Sequence, residues 1–369
     1  MADSTRLQEL SDAGVSVWID SLSREMLHSG ALAHLIAEDA VVGVTSNPTI
    51  FQKALAEGDL YDAQLREVAA SSDDAAETFF ALALDDIRAA CDLLLPVWER
   101  TDGIDGRVSL EVDPTLAYER ELTFEQAVRF NKDAGRANLY VKIPATEPGL
   151  GAIEDCIAKG VSINVTLIFS LARYRAVAEA YLRGLERLIA AGGDPGKVLS
   201  VASFFVSRVD TEADRRLEAV GRSDLQGKLA VANAKLAYQH YLNVFGNDRW
   251  AYLAGKGARP QRCLWASTSA KNPAYRDVVY VEELIGDDTV NTMPLETVRA
   301  FQEHGEVRSG SLTEGLDEAK RLLADLAAAG VDYDDVVATL EAEGVQKFAD
   351  SFAELLDGIS AKADALAPA

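Results

Sequence analysis

Eight strand-like runs recur along this chain with helix-like stretches between them, and that alternation constrains the fold more than any other feature. The runs are Val15–Asp20, Val41–Asn47, Arg107–Asp113, Asn138–Ala145, Val161–Leu167, Val198–Phe205, Arg262–Ser267 and Thr289–Met293. They carry period-two alternation or short apolar character bounded by turn residues. The stretches between them are rich in Ala, Leu, Glu and Arg. Strands alternating with helices predict a parallel sheet. Eight such units predict an α/β fold closed into a (β/α)8 TIM barrel, rather than an open doubly wound sheet. No Gly-x-Gly-x-x-Gly follows the first strand, which argues against a dinucleotide-binding sheet.

The extra length is distributed along the chain. Residues 52–105 read as largely helical, 211–261 as a helical insertion between the sixth and seventh strands, and 312–366 as a C-terminal helical extension. In the last segment Phe348, Phe352, Leu355 and Leu356 fall at helical spacing, the mark of a packed helix face. Val331–Asp335 alternatively opens a short connecting segment. The run Pro148-Gly149-Leu150-Gly151 either cradles an anion or starts a helix. No linker and no repeat interrupts residues 1–369, so one barrel domain is expected.

Strand parity sorts the polar residues. Asp20 shares a face with Trp18 and Ser16, Asn47 with Thr45 and Gly43, Glu111 with Ser109 and Asp113, and Asn164 with Ser162 and Thr166. In a barrel the outward face packs under helices and must be apolar. The polar set is therefore expected inside, toward the C-terminal strand ends where barrel active sites form. Buried carboxylates need a charged partner or a proton-transfer task. Asn47 precedes Pro48 and Asp113 precedes Pro114, so each has a second reading as a helix cap. For Asp113 the cap is the preferred one. Asn164 and Thr166 have a second reading as ordinary polar strand residues.

Lys142 sits mid-strand in Asn138-Leu-Tyr-Val-Lys-Ile-Pro-Ala145. An exposed lysine near its reference pKa of ~10.4 is almost wholly ammonium at neutral pH. Burial favours the free amine, which attacks carbonyls. Neighbouring carboxylates pull the other way, so desolvation has to win, by ~3 pKa units for a value near 7.

Composition excludes several classes. The formal net charge of −23 opposes nucleic-acid and anionic membrane surfaces. Any anion site must then be a local cluster of cations. Cys91, Cys156 and Cys263 are odd in number and far apart, the usage of a reducing compartment, with buried thiols expected. No histidine pair has ligand spacing, so no metal is expected. The polar N-terminus and the lack of a long apolar run predict a soluble cytoplasmic protein.

Several segments together resemble the transaldolase family, in its full-length bacterial branch. They are Gly43-Val-Thr-Ser-Asn-Pro-Thr-Ile-Phe51, Ser109-Leu-Glu-Val-Asp113, Asn138–Thr146, Ile163-Asn-Val-Thr-Leu-Ile-Phe-Ser170, Ala202-Ser-Phe-Phe-Val-Ser-Arg208 and Trp265-Ala-Ser-Thr-Ser-Ala-Lys-Asn-Pro273. The resemblance implies a cofactor-free and metal-free Schiff-base mechanism on sugar phosphates, with Lys142 as the imine-forming amine. It implies that Asp20 takes a proton from the substrate hydroxyl, and that Glu111 and Thr166 handle the water of imine formation. Asn47 and Asn164 would hold substrate hydroxyls, Ser203 and Phe205 would line the sugar site, and Arg208 would bind phosphate. Where many family members carry a serine and an arginine after the seventh strand, this chain has Ser267-Thr-Ser-Ala-Lys271. Lys271 is the expected second cation, with Ser267 or Ser269 as the hydroxyl; a solvated loop lysine is the competing reading. A fructose 6-phosphate aldolase and a non-catalytic sugar-phosphate binding barrel are the alternative functions. The sequence leaves homo-oligomerisation open.

Overall fold

The computed structural model describes residues 5–56, 58–72 and 74–366. Its centre is a closed barrel of eight parallel strands: β1 (Val15–Asp20), β2 (Val41–Thr45), β3 (Arg107–Glu111), β4 (Leu139–Pro144), β5 (Ile163–Ile168), β6 (Ser200–Phe205), β7 (Arg262–Ala266) and β8 (Thr289–Met293). β1 pairs with both β2 and β8 and so closes the sheet. The (β/α)8 architecture is thus the one that the strand–helix alternation requires. Strand ends differ from the sequence reading by a few residues. At the site β2 and β3 each stop two residues early, at Thr45 and Glu111, and leave Asn47 and Asp113 beyond them.

The barrel interior is layered. At the N-terminal end Arg262 donates to Ser16 at 2.7 Å and to Asp105 at 2.9 Å, and Ser16 donates to Asp105 at 2.8 Å. A buried ion pair of this kind holds only when its remaining donors and acceptors are satisfied, and these bonds satisfy them. Above that layer the Trp18 ring fills the barrel opposite Gly43. A Cβ on Gly43 would lie 2.4 Å from the ring, so this position must lack a side chain. The polar functional layer lies above the tryptophan.

The helical stretches form as their spacing demands. Residues 52–105 contain helices Asp62–Ala69 and Ala75–Arg100 and most of Pro48–Ala56. The chain between β6 and β7 forms Ser207–Ala219, Leu229–Val244 and Asp248–Ala254. Pro148–Gly151 lies in the first turns of helix Glu147–Ala158, whose N-cap Thr146 accepts from Gly149 N. The run is therefore a helix start. Asp113 caps the short turn Pro114–Leu116 by accepting from Thr115 N. The C-terminal extension ends in one long helix, Tyr333–Leu366, which begins just past Val331–Asp332 and crosses the C-terminal mouth of the barrel. Arg173 and Arg216 hold its start through Glu341 and Asp335, and Thr49 donates to Ser351 at 2.9 Å further along. Among the described residues no helix is long and apolar enough to cross a membrane.

Candidate active site

A cavity of about 560 Å³ opens at the C-terminal end of the barrel, under the C-terminal helix. Strand register builds its floor. Glu111 on β3 sits beside Lys142 on β4, and Lys142 beside Asn164 on β5. Inward residues at one level of adjacent parallel strands are side-chain neighbours, so three polar groups spaced along the sequence converge.

Lys142 is buried, and its Nζ donates to Glu111 Oε2 at 2.9 Å and to the Ser46 carbonyl at 3.1 Å. Burial pushes the Glu111 carboxyl above its usual range, opposed by the charge and hydrogen bond of Lys142 and reinforced by Asp20. The second oxygen, Glu111 Oε1, has no partner among the described residues, and neither does the buried Thr166 Oγ1. Buried polar atoms left unsatisfied are uncommon and call for a reason. Leu167, directly after Thr166, has a φ of 59°, in the left-handed region that non-glycine residues seldom occupy. The β5–β6 register shifts at the same point.

Asp20 faces Lys142 from β1 and reaches the cavity. Its Oδ1 accepts from Thr45 Oγ1 at 2.7 Å, and Thr45 Oγ1 lies 2.7 Å from Thr292 Oγ1. Burial raises the Asp20 carboxyl, against the lowering effects of Lys142, the Thr45 hydroxyl and Arg208. Desolvation outweighs charge pairing for both carboxylates, as expected where water is excluded on most sides.

The other expected residues divide by depth. Asn47, Ser203 and Phe205 line the cavity. Asn47 also accepts from Ile50 N at 3.0 Å, so it caps helix Pro48–Ala56 as well as facing the site. Asn164 is fully buried and does not line the cavity. Its Nδ2 donates to Ser109 at 3.0 Å and its Oδ1 accepts from Ser203 at 2.7 Å, which fixes the hydroxyl that does face inward.

A cationic end lies past β6 and β7. Arg208, near the start of helix Ser207–Ala219, is half-buried with its guanidinium 5.4 Å from the Phe205 ring centre. It makes no hydrogen bond or ion pair among the described residues. Burial lowers its pKa. Lys271 joins it on the cavity wall and donates to Ser269 at 2.6 Å. Burial, followed by the charge of Arg208, lowers Lys271. Ser267 lies 3.0 Å from Ser207 Oγ. It holds a φ of 56°.

Four contributors are not picked out as site residues from the sequence, although parity places Thr45 on the inward face. Thr45 and Thr292 are the hydroxyls around Asp20, but threonine is ordinary in strands. Phe348 and Lys347 reach the site from the C-terminal helix. The Phe348 ring centre lies 5.5 Å from Lys142 Nζ, although helical spacing marks this phenylalanine only as a packed residue. Among the described residues no three His, Cys, Asp or Glu side chains are grouped to hold a metal.

Comparison with known proteins agrees with this geometry. The family model described as transaldolase/fructose-6-phosphate aldolase matches residues 17–359. A transaldolase of Frankia alni is 52% identical over 360 residues, covering 97% of each chain. One from Mycolicibacterium paratuberculosis is 53% identical over 360 residues, covering 96% of each. One from Mycobacterium tuberculosis H37Rv is 52% identical over 370 residues, covering 99% of each. With a buried lysine and two carboxylates at the mouth of a closed barrel, and with relatives aligned nearly end to end, the chain belongs to the transaldolase/fructose-6-phosphate aldolase family.

Proposed function

We infer that the chain acts as a transaldolase. It moves a three-carbon dihydroxyacetone unit between sugar phosphates, converting sedoheptulose 7-phosphate and glyceraldehyde 3-phosphate to erythrose 4-phosphate and fructose 6-phosphate. Its place is the non-oxidative pentose phosphate pathway, in the cytoplasm. The observation that carries the reading is the buried Lys142 amine, 2.9 Å from Glu111 and faced by Asp20.

The residue roles follow from proton accounting. Lys142 Nζ attacks the ketose C2 carbonyl and forms the C–N bond. Its departing proton has an acceptor in Glu111, whose burial makes the protonated carboxyl accessible. The carbinolamine hydroxyl leaves as water. Glu111 Oε1 and Thr166 Oγ1, both without a hydrogen-bond partner among the described residues, are the groups suited to hold that water. In the protonated imine, Asp20 takes the proton of the C4 hydroxyl. The C3–C4 bond breaks, its electron pair passes to the iminium, and the aldose phosphate departs. The enamine stays on Lys142 until an acceptor aldehyde takes it in the reverse sense. The iminium serves as the electron sink, so these steps need only side chains. Asn47 and Ser203 hold hydroxyls, with Asn164 orienting Ser203, and Phe205 walls the sugar. Arg208, Lys271 and the Ser267 hydroxyl receive the phosphate; a guanidinium fork suits phosphate oxygens.

Release of glyceraldehyde 3-phosphate from fructose 6-phosphate tests the reading. Release of about one equivalent without acceptor and sustained turnover with erythrose 4-phosphate are expected from a covalent intermediate. Sustained release without acceptor would make the chain an aldolase.

A further inference from the structure

The protein carries a net charge of −23, yet five cationic side chains line the main cavity against two anionic ones, Asp20 and Glu296. Lys142 accounts for one cation, and Arg208 and Lys271 for two more. Lys347 stands out among the rest because it comes from the C-terminal helix, which spans the mouth under restraint. Arg173 grips Glu341 at 3.2 Å on one side, and Thr49 bonds Ser351 at 2.9 Å on the other. Gly344 is buried where a Cβ would come 3.2 Å from Leu167, so the helix sits close on the end of β5. Phe348, four residues after Gly344 and next to Lys347, stands over Lys142.

Lys347 is itself exposed, and a carboxylate one turn earlier is the usual partner of an exposed helix lysine. Glu343 occupies that position, but Lys347 makes no ion pair among the described residues and lines the cavity instead. Its charge adds to that of Arg208 in lowering Lys271. These three cations repel one another, the Glu296 and Asp20 carboxylates offset that repulsion only in part at Lys271, and an anion placed among them relieves the rest.

We propose that Lys347 is a third phosphate-binding cation, lent by the C-terminal helix, which engages the phosphate of both donor and acceptor. The helix is thereby part of the active site as well as of the fold. This inference rests on the transfer reading above.

The test compares Lys347→Ala and Lys347→Arg with the wild type. Lys320→Ala, on an exposed helix elsewhere, is the charge control. Alanine is the best helix former, so the variant keeps the helix. Loss of one charge-assisted hydrogen bond in Lys347→Ala is expected to raise KM for fructose 6-phosphate and erythrose 4-phosphate about tenfold. The inhibition constant of inorganic phosphate is expected to rise in parallel, with Lys347→Arg keeping most of the affinity. Borohydride trapping of dihydroxyacetone on Lys142 reads imine formation without phosphate. Unchanged KM and phosphate inhibition in Lys347→Ala, with normal trapping, would overturn the role of Lys347 alone. Absence of trapping in the wild type would overturn the imine reading and this inference with it.

Discussion

Lys142 Nζ and Glu111 Oε2 lie 2.9 Å apart, and both side chains are almost wholly buried. A buried ion pair adds little net stability, because desolvation offsets the attraction. The pair makes better sense as a proton relay, since burial raises Glu111 and lets it hold the proton that the amine releases. Glu111→Gln keeps the shape and removes the relay. General acid–base assistance amounts to a factor of ~10²–10⁴, so borohydride trapping of dihydroxyacetone should slow by at least ~10²-fold. Trapping at the wild-type rate would show that Glu111 only fills the barrel.

Asp20 must be ionised to accept the substrate proton. Burial raises its pKa, so the acidic limb of kcat/KM for cleavage should lie above the ordinary aspartate value of ~3.9. The Thr45 hydroxyl donates to the carboxylate at 2.7 Å and favours the ionised form. In Thr45→Val the charged form loses that bond, Asp20 rises further, and the limb moves to higher pH. A pH–rate profile decides it. A limb that stays put, or moves to lower pH, would remove Thr45 from the account.

Phe348 contacts the catalytic end from a helix nearly two hundred residues along the chain from β4, with 4% of its surface exposed. Excluding water from the imine keeps the enamine for the acceptor. Phe348→Ala opens that roof. The expected result is sustained release of glyceraldehyde 3-phosphate from fructose 6-phosphate without acceptor, as water protonates the enamine and hydrolyses the imine. Stability should also fall, by about 3–5 kcal/mol for a buried phenylalanine, so a milder Phe348→Leu variant belongs beside it. If neither variant releases dihydroxyacetone while transfer persists, the phenylalanine is packing alone.

The parts of this site visible in the sequence are those whose signal is local. Lys142, Asp20 and Glu111 violate the apolar expectation for barrel strands, and parity puts them on one face. Ser203 and Phe205 follow through the resemblance of their strand. Thr45 and Thr292 violate nothing, because threonine suits strands. Their meeting at 2.7 Å is a consequence of β1 standing between β2 and β8. Phe348 marks a packed helix face in the sequence and Lys347 carries no signal of its own; in the structure the first is buried and the second exposed. Only the path of the helix over the barrel mouth makes them functional. Asn47 shows the opposite case: a helix cap and a cavity residue at once, so neither local reading excluded the other.

Gly43 links the fold to the chemistry, because the space it leaves is filled by Trp18, which separates the polar base of the barrel from the layer holding Asp20. A methyl group at Gly43 would meet the indole at 2.4 Å, below any contact that real Cβ atoms tolerate. Both residues lie on strands locked by pairing on both sides, so the ring must move rather than the backbone. Gly43→Ala should therefore destabilise the protein by at least the ~1–3 kcal/mol typical of overpacking. Activity should fall with it, since Trp18 and Asp20 share the same face of β1. Adding Trp18→Leu vacates the space. The two residues touch, so the double variant should recover stability relative to the sum of the single changes, by a coupling of about 0.5–3 kcal/mol. Denaturant unfolding of the four proteins measures it. Additive losses would mean that Gly43 is required for its backbone, and that the indole does not define the floor of the site.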